Sequence, residues 1–190
     1  ETDDYSYVKY DAKDTPDGVL IRTNFSYSGK YGDGLGWIRY INACCLLHPY
    51  IDNVSITPSV LMDSLSCSFY HSVMNRDVLK SDISQIVDAD FIPRHSTSAS
   101  VVIEGVVSPD SVHDCVMWVK PGYPPCSSVH RVTSDYVPES LRPLSAGYNS
   151  PEWIRITQIR NQMFHKMSDA YYIDLDGVRK IRNVKFGETF

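Results

Sequence analysis

No stretch of the 190 residues approaches the roughly 18 uninterrupted apolar residues of a membrane-spanning helix. The opening ETDDYSYVKYD lacks the apolar core of a signal peptide and lacks an initiator Met, which points to a segment processed from a longer chain. Basic charge is scarce: 18 Lys and Arg face 23 Asp and Glu, a net charge of −5. That balance does not suit sequence-blind nucleic-acid binding through phosphates. The five cysteines, at 44, 45, 67, 115 and 126, form an odd and sparse set rather than a disulfide framework. Free buried thiols in a reducing compartment are expected. Ten Gly and 11 Pro are too few for a collagenous or low-complexity chain. There is no internal repeat and no regular βαβ alternation, which excludes a parallel α/β sheet.

What is present is an ordinary globular composition, 43% apolar and 22% charged, enough for one domain with its own core. Alternating and β-branched runs dominate. Strands are expected at Val19–Tyr27, Ser98–Val107, Asp114–Lys120, Val129–Val137 and Trp153–Phe164. A final hairpin of Ala170–Leu175 and Val178–Phe186 would turn at Asp176-Gly177. Trp37–Leu47 is apolar on both faces, so it reads as a central strand or a buried helix, ended by Pro49. One or two short helices are expected around residues 58–90, the clearest over Asp77–Val87, where Val78, Leu79, Ile83, Ile86 and Val87 share a helical face. The pattern predicts a mainly β protein, an antiparallel β-sandwich or jelly roll over 17–190, preceded by an extended acidic arm over 1–16.

No catalytic motif is complete. No G-x-S-x-G elbow stands in the chain, and the glycine-dense Gly29–Gly36 has no following Lys-Ser/Thr, so a nucleotide-binding P-loop fails. His113, Cys115, Cys126 and His130 offer four zinc-type ligands around a proline-rich loop, though without a tight C-x₂₋₄-C knuckle. A thiol protease would use Cys44 or Cys45, with His113 or His130 as base, but both cysteines lie deep in an apolar run. Asp174-Leu-Asp176-Gly resembles a fragment of a calcium loop and reads better as a turn. Neither a metal nor a cofactor is expected.

The termini differ in charge and carry the candidate interface residues. Tyr5, Tyr7 and Tyr10 sit at near-alternate spacing in the acidic arm, where tyrosine buries area while keeping a polar tip. Arg179, Lys180, Arg182 and Lys185 form a basic cluster at the other end.

The strand DCVMWVK running into PGYPP, with many short strands and long loops in about 190 residues, resembles the jelly-roll capsid subunits of picorna-like plus-strand RNA viruses. The local segment that carries the resemblance is Val116–Pro125. The resemblance implies a non-enzymatic coat protein of an icosahedral virion. Such a protein assembles in the host cytoplasm with other capsid subunits around viral RNA, without contacting a membrane. Two alternatives stay open: a monomeric binding module, such as a viral projecting, receptor-binding or immune-evasion domain, and the thiol protease.

Overall fold

The computed structural model describes residues 9, 11–23, 36–53, 55–106 and 115–186, with 182–186 described by backbone alone. Among the described residues, eight short strands form three sheets: β1 (Tyr70–His71) with β2 (Arg76–Asp77); β3 (Gln85–Val87), β8 (Ala170–Asp174) and β7 (Phe164–Met167); β4 (Ala99–Glu104), β5 (Val116–Pro121) and β6 (His130–Val132). Every strand pair is antiparallel, in keeping with the missing βαβ alternation. The strands are distributed over three small sheets, not over the two facing sheets of the expected sandwich, because three helices occupy segments read as β or left ambiguous. These helices are α1 (Trp37–Asp52), α2 (Pro151–Met163) and α3 (Leu175–Phe186).

α1 resolves the ambiguity of the WIRYINACCLL run. Its buried residues, Arg39, Asn42, Ala43 and Leu47, fall at helical spacing. Pro49 lies inside the helix rather than ending it. The buried edge is partly polar and docks by hydrogen bonds: Arg39 donates to the Ala89 carbonyl (2.7 Å), Asn42 donates to the Asp90 carbonyl (2.8 Å), and the Asn42 side-chain oxygen accepts from the Ser72 N–H (2.8 Å).

α2 corrects the strand expected at Trp153–Phe164. The Ser150 hydroxyl accepts from the Trp153 N–H (3.3 Å), Pro151 fills the first turn, and Glu152 and Arg160 match the helix dipole at the two ends. These start signals outweigh the β-branched composition, and Ile156 and Met163, two turns apart, are buried. α3 corrects the expected Val178–Phe186 strand. The Asp174 carboxylate accepts from the N–H groups of Asp176 and Gly177, both at 3.0 Å, and so caps a helix where Asp176-Gly177 had suggested a hairpin. A Cβ at Gly177 would come 3.0 Å from that carboxylate. The actual hairpin turns earlier, between Met167 and Ala170, with Ser168 at φ 55°.

The helix expected over Asp77–Val87 is replaced by β2, a 3₁₀ turn at Val78–Lys80 and β3, while Val60–Leu65 forms a π-helical turn. Residues 19–23 form no strand, and the rest of the Val19–Tyr27 expectation lies outside the described residues. The described part of the acidic arm is not extended throughout, since Asp11 caps a 3₁₀ turn at Ala12–Asp14.

The core gathers Phe69, Phe91, Tyr123, Cys126, Ile156, Met163, Ile173, Leu175 and Val178, so strands, α2 and α3 share it. The whole proline-rich segment Pro121–Ser127 is buried. Within it Tyr123 packs edge-on against Phe164, with ring centroids 5.3 Å apart. Gly122 has φ +68°, and a Cβ there would lie 2.7 Å from Ile156 Cγ2. We expect Gly122→Ala to destabilise the fold by about 2–4 kcal/mol, from the left-handed backbone and the overpacking together, measured by denaturant unfolding. An unchanged midpoint would show that this contact is slack.

Near β8, the His95 ring stacks on Tyr171 with centroids 3.5 Å apart, and its backbone N–H donates to the Asp88 carboxylate (2.7 Å). Burial holds the His95 imidazole below its usual pKa; Asp88 opposes this, and Arg160 and Arg94 reinforce it. The unfolded chain therefore binds more protons than the fold at mildly acid pH. Stability contributed by neutral His95 is present above about pH 6.5 and is lost as pH falls below it. His95→Phe keeps the stack and should flatten this acid limb when thermal unfolding is followed from pH 7.5 to 5; an unaltered limb would assign the loss to other groups.

Candidate functional site

The central sheet has two unlike faces. Register places Ala99, Val101 and Ile103 opposite Pro121, Val119 and Met117, and places Met117 and Val119 opposite Val132 and His130. Directly opposed residues share a face, so one side of the sheet is almost wholly apolar. The other side carries Ser100, Val102 and Glu104 with Lys120, Trp118 and Val116.

The polar-bearing side is closed. The Lys120 ammonium donates to the Asp63 carboxylate of the π-helical turn (2.7 Å), and the Trp118 indole N–H donates to Glu104. The apolar side is open toward β4. Val101 is 50% exposed and Ile103 66%, and β4 stands at the edge of its sheet. A cavity of about 540 Å³ lies beside α1, and another of about 450 Å³ lies between the apolar sheet face and the 137–150 loop. Met117, Val119, Val132, Leu141, Tyr148 and Trp153 are among the residues lining the latter. On that loop Leu144 is 83% exposed and Tyr148 71%. Edge strands in proteins that stay apart are blunted by Lys, Pro, bulges or covering segments. ASVVIE contains neither Lys nor Pro, and β4 pairs with β5 in unbroken register.

The thiol pair lies elsewhere, on α1. Cys44 lines the 540 Å³ cavity with Tyr40 and His48, and Cys45 is exposed. Burial pushes the Cys44 thiol up, against the lowering hydrogen bond from Tyr40. A nucleophilic cysteine needs the opposite shift. His48, one turn after Cys44 and 3.7 Å from Asp52, is an imidazole the sequence reading had not paired with it. Backbone N–H groups in the middle of a helix are already engaged by i−4 carbonyls, so they form no oxyanion hole beside Cys44.

Cys115, Cys126 and His130, the described zinc-type residues, do not converge. Cys126 is in the core, its sulfur 4.0 Å from Met163 Sδ. His130 opposes Val119 on β5, whereas Cys115 precedes that strand. At about 3.3 Å per residue, the four-residue offset separates them by about 13 Å along the strand. His130 lies 3.9 Å from Glu152 instead. His113 lies outside the described residues, and among those described no cluster of His, Cys, Asp or Glu is arranged to hold a metal.

Of the proposed interface residues, Tyr5, Tyr7 and Tyr10 lie outside the described residues, as do the side chains of Arg182 and Lys185. Lys180 is exposed. Arg179 is turned inward. Its guanidinium donates to the carbonyls of Leu79 (2.9 Å), Val78 (3.1 Å), Ser81 (2.8 Å) and Ile83 (2.8 Å), and also pairs with Asp176. It thereby ties down a segment that leaves its short 3₁₀ turn without continuing as a helix.

Comparison with family models, curated proteins and solved structures finds no match for this chain.

Arg179→Lys should destabilise the protein by about 1.5–3 kcal/mol, because an ammonium cannot serve the spread carbonyls. Lys180→Glu, one residue on, should leave the unfolding midpoint within about 0.5 kcal/mol of wild type. Equal effects in parallel unfolding titrations would refute the clamp.

Proposed function

We propose that this chain is a non-enzymatic structural subunit that docks onto neighbouring subunits through the β4 edge and the apolar face beside it. The observation that carries this reading is the pair Val101 and Ile103, largely exposed on an edge strand without Lys or Pro. Exposed apolar residues clustered on an unprotected strand edge are costly in a protein that works alone and are useful in one that assembles. The raised Cys44 thiol and the dispersal of the zinc-type residues weigh against the enzymatic and metal readings.

The particular assembly favoured is a viral shell, with other capsid subunits as partners, the virion as destination and viral RNA inside. That step rests on the resemblance of Val116–Pro125, which forms β5 and the start of the buried turn. The described strands fall in three small sheets, so the docking surface, beside that local resemblance, carries the shell reading. A net charge of −5 assigns RNA packaging to local contacts or to partner subunits, not to a broadly basic surface.

Light scattering coupled to size-exclusion chromatography tests the reading. The wild type should run as an assembly above 21.5 kDa, its mass rising with concentration. Val101→Lys with Ile103→Lys should weaken association by at least about tenfold while leaving the melting temperature nearly unchanged, since both positions are exposed. A wild-type monomer at all concentrations, alone and with co-expressed shell subunits, would overturn the reading in favour of a free-standing binding module.

A further inference from the structure

One charged side chain is buried in the central sheet. Lys120 is 5% exposed, on the strand otherwise built of Val116, Met117, Trp118 and Val119. Its Nζ lies 2.7 Å from Asp63 Oδ1 and 3.2 Å from Cys67 Sγ. Cys67 is equally buried, and its sulfur is held in place by a 3.3 Å hydrogen bond to the Met62 carbonyl. The proposed function uses none of these three residues. The amine and the thiol therefore face each other within contact distance, both shielded from bulk water, with the Asp63 carboxylate beside the amine.

We infer that Lys120 and Cys67 form an oxidation-dependent covalent bridge, Nζ–O–Sγ, with dioxygen as the oxidant. The step uses the neutral amine, formed by loss of one ammonium proton to solvent beside the half-exposed Asp63 carboxylate. The neutral amine, the thiol and one O₂ then give the bridge and one water. The amine keeps one hydrogen, and the remaining amine hydrogen and the thiol hydrogen leave in the water. Sulfur and nitrogen are oxidised, and both oxygen atoms are reduced, one in the bridge and one in the water. A single interposed oxygen fits the 3.2 Å separation with less movement than a direct S–N bond would need. A cavity of about 400 Å³ is lined by Met62 and Asp63, on the turn that ends two residues before Cys67, and by Trp118, two residues before Lys120.

The bridge would join residues 53 positions apart and pin the π-helical turn to β5 on the closed side of the sheet. Closing so long a loop restricts the unfolded chain as a disulfide does. The site is therefore a redox-set lock on the sheet that carries the docking face, and it stands whether or not that face assembles.

The test is intact-mass spectrometry of the full chain, purified under air and under dithiothreitol, followed by peptide mapping. Air-exposed protein should gain about 14 Da, one oxygen added and two hydrogens lost, with a cross-linked peptide containing Lys120 and Cys67. Dithiothreitol should reverse it, returning amine, thiol and water, and should lower the melting temperature by about 5–10 °C. Cys67→Ser and Lys120→Arg, the latter keeping a cation beside Asp63, should both abolish the gain. The wild-type map decides the matter even if a variant fails to fold. An unchanged mass, a gain of oxygen on Cys67 with Lys120 free, or a cross-link elsewhere would each overturn the proposal.

Discussion

The absence of a side chain at position 122 lets the central sheet and α2 touch. Gly122 leaves β5 at φ +68° with its backbone pressed against Ile156, and its N–H still reaches the Ser98 carbonyl at 2.8 Å. That one close approach turns the chain out of the sheet and drives Tyr123, Pro124, Pro125 and Cys126 into the interior. Prolines suit such a place because each carries one fewer backbone N–H to satisfy away from water. Tyr123 then meets Phe164 at the start of β7, and Cys126 meets Met163 at the end of α2. The sheet that presents the open face and the helices that fill the core are thus joined through a seven-residue segment, Pro121–Ser127.

Around this apolar joint, long polar side chains make the remaining connections. Arg39 and Asn42 hold the Ala89–Asp90 carbonyls, Arg179 holds four carbonyls from Val78 to Ile83, and Lys120 holds Asp63. In each case an irregular segment is tied to a regular element. Loops brought against a core cannot pair their carbonyls with one another as a helix does, and a buried unpaired carbonyl is costly. A guanidinium with a fan of donors satisfies several at once, which is why one Arg replaces a helix that Asp77–Val87 had the apolar spacing to form.

The same contrast explains what the sequence disclosed. β4 and β5 were legible because SASVVIE and DCVMWVK combine β-branched alternation with turn residues at their ends, and both signals are local. α2 was obscured because Trp, Ile and Thr favour strands, while its start at Ser150-Pro151 closes a proline-punctuated stretch that reads as a loop. α3 was obscured because Asp-Gly serves both a hairpin and a capped first turn, and only the reach of the Asp174 carboxylate separates them. The inward role of Arg179 depends on partners about 100 residues upstream and leaves no local trace. For the site, composition identified the β4 strand, but not that the face carrying Val101 and Ile103 would lie at an edge with nothing described beyond it. A single Lys at the end of an apolar strand was the available signal for the buried Lys120 cluster.

The two faces of the β4–β5–β6 sheet complete the physical picture. On one, the buried Lys120 pairs with the half-exposed Asp63 of the π-helical turn; such a pair adds little net stability by itself, but removing Asp63 leaves the Lys120 charge stranded. That face is consequently committed to a single partner within the chain. On the other, the apolar residues lack such a commitment at β4, and dispersion and desolvation act on whatever surface arrives. The closed side holds the strands in register, and a fixed register is what keeps Val101 and Ile103 on the same side of the edge. A slip of one residue would turn both inward and present Ser100 and Val102 instead. The polar lock behind the sheet is thus what gives the apolar edge in front of it a defined shape, and a defined edge is the condition for repeated, identical docking.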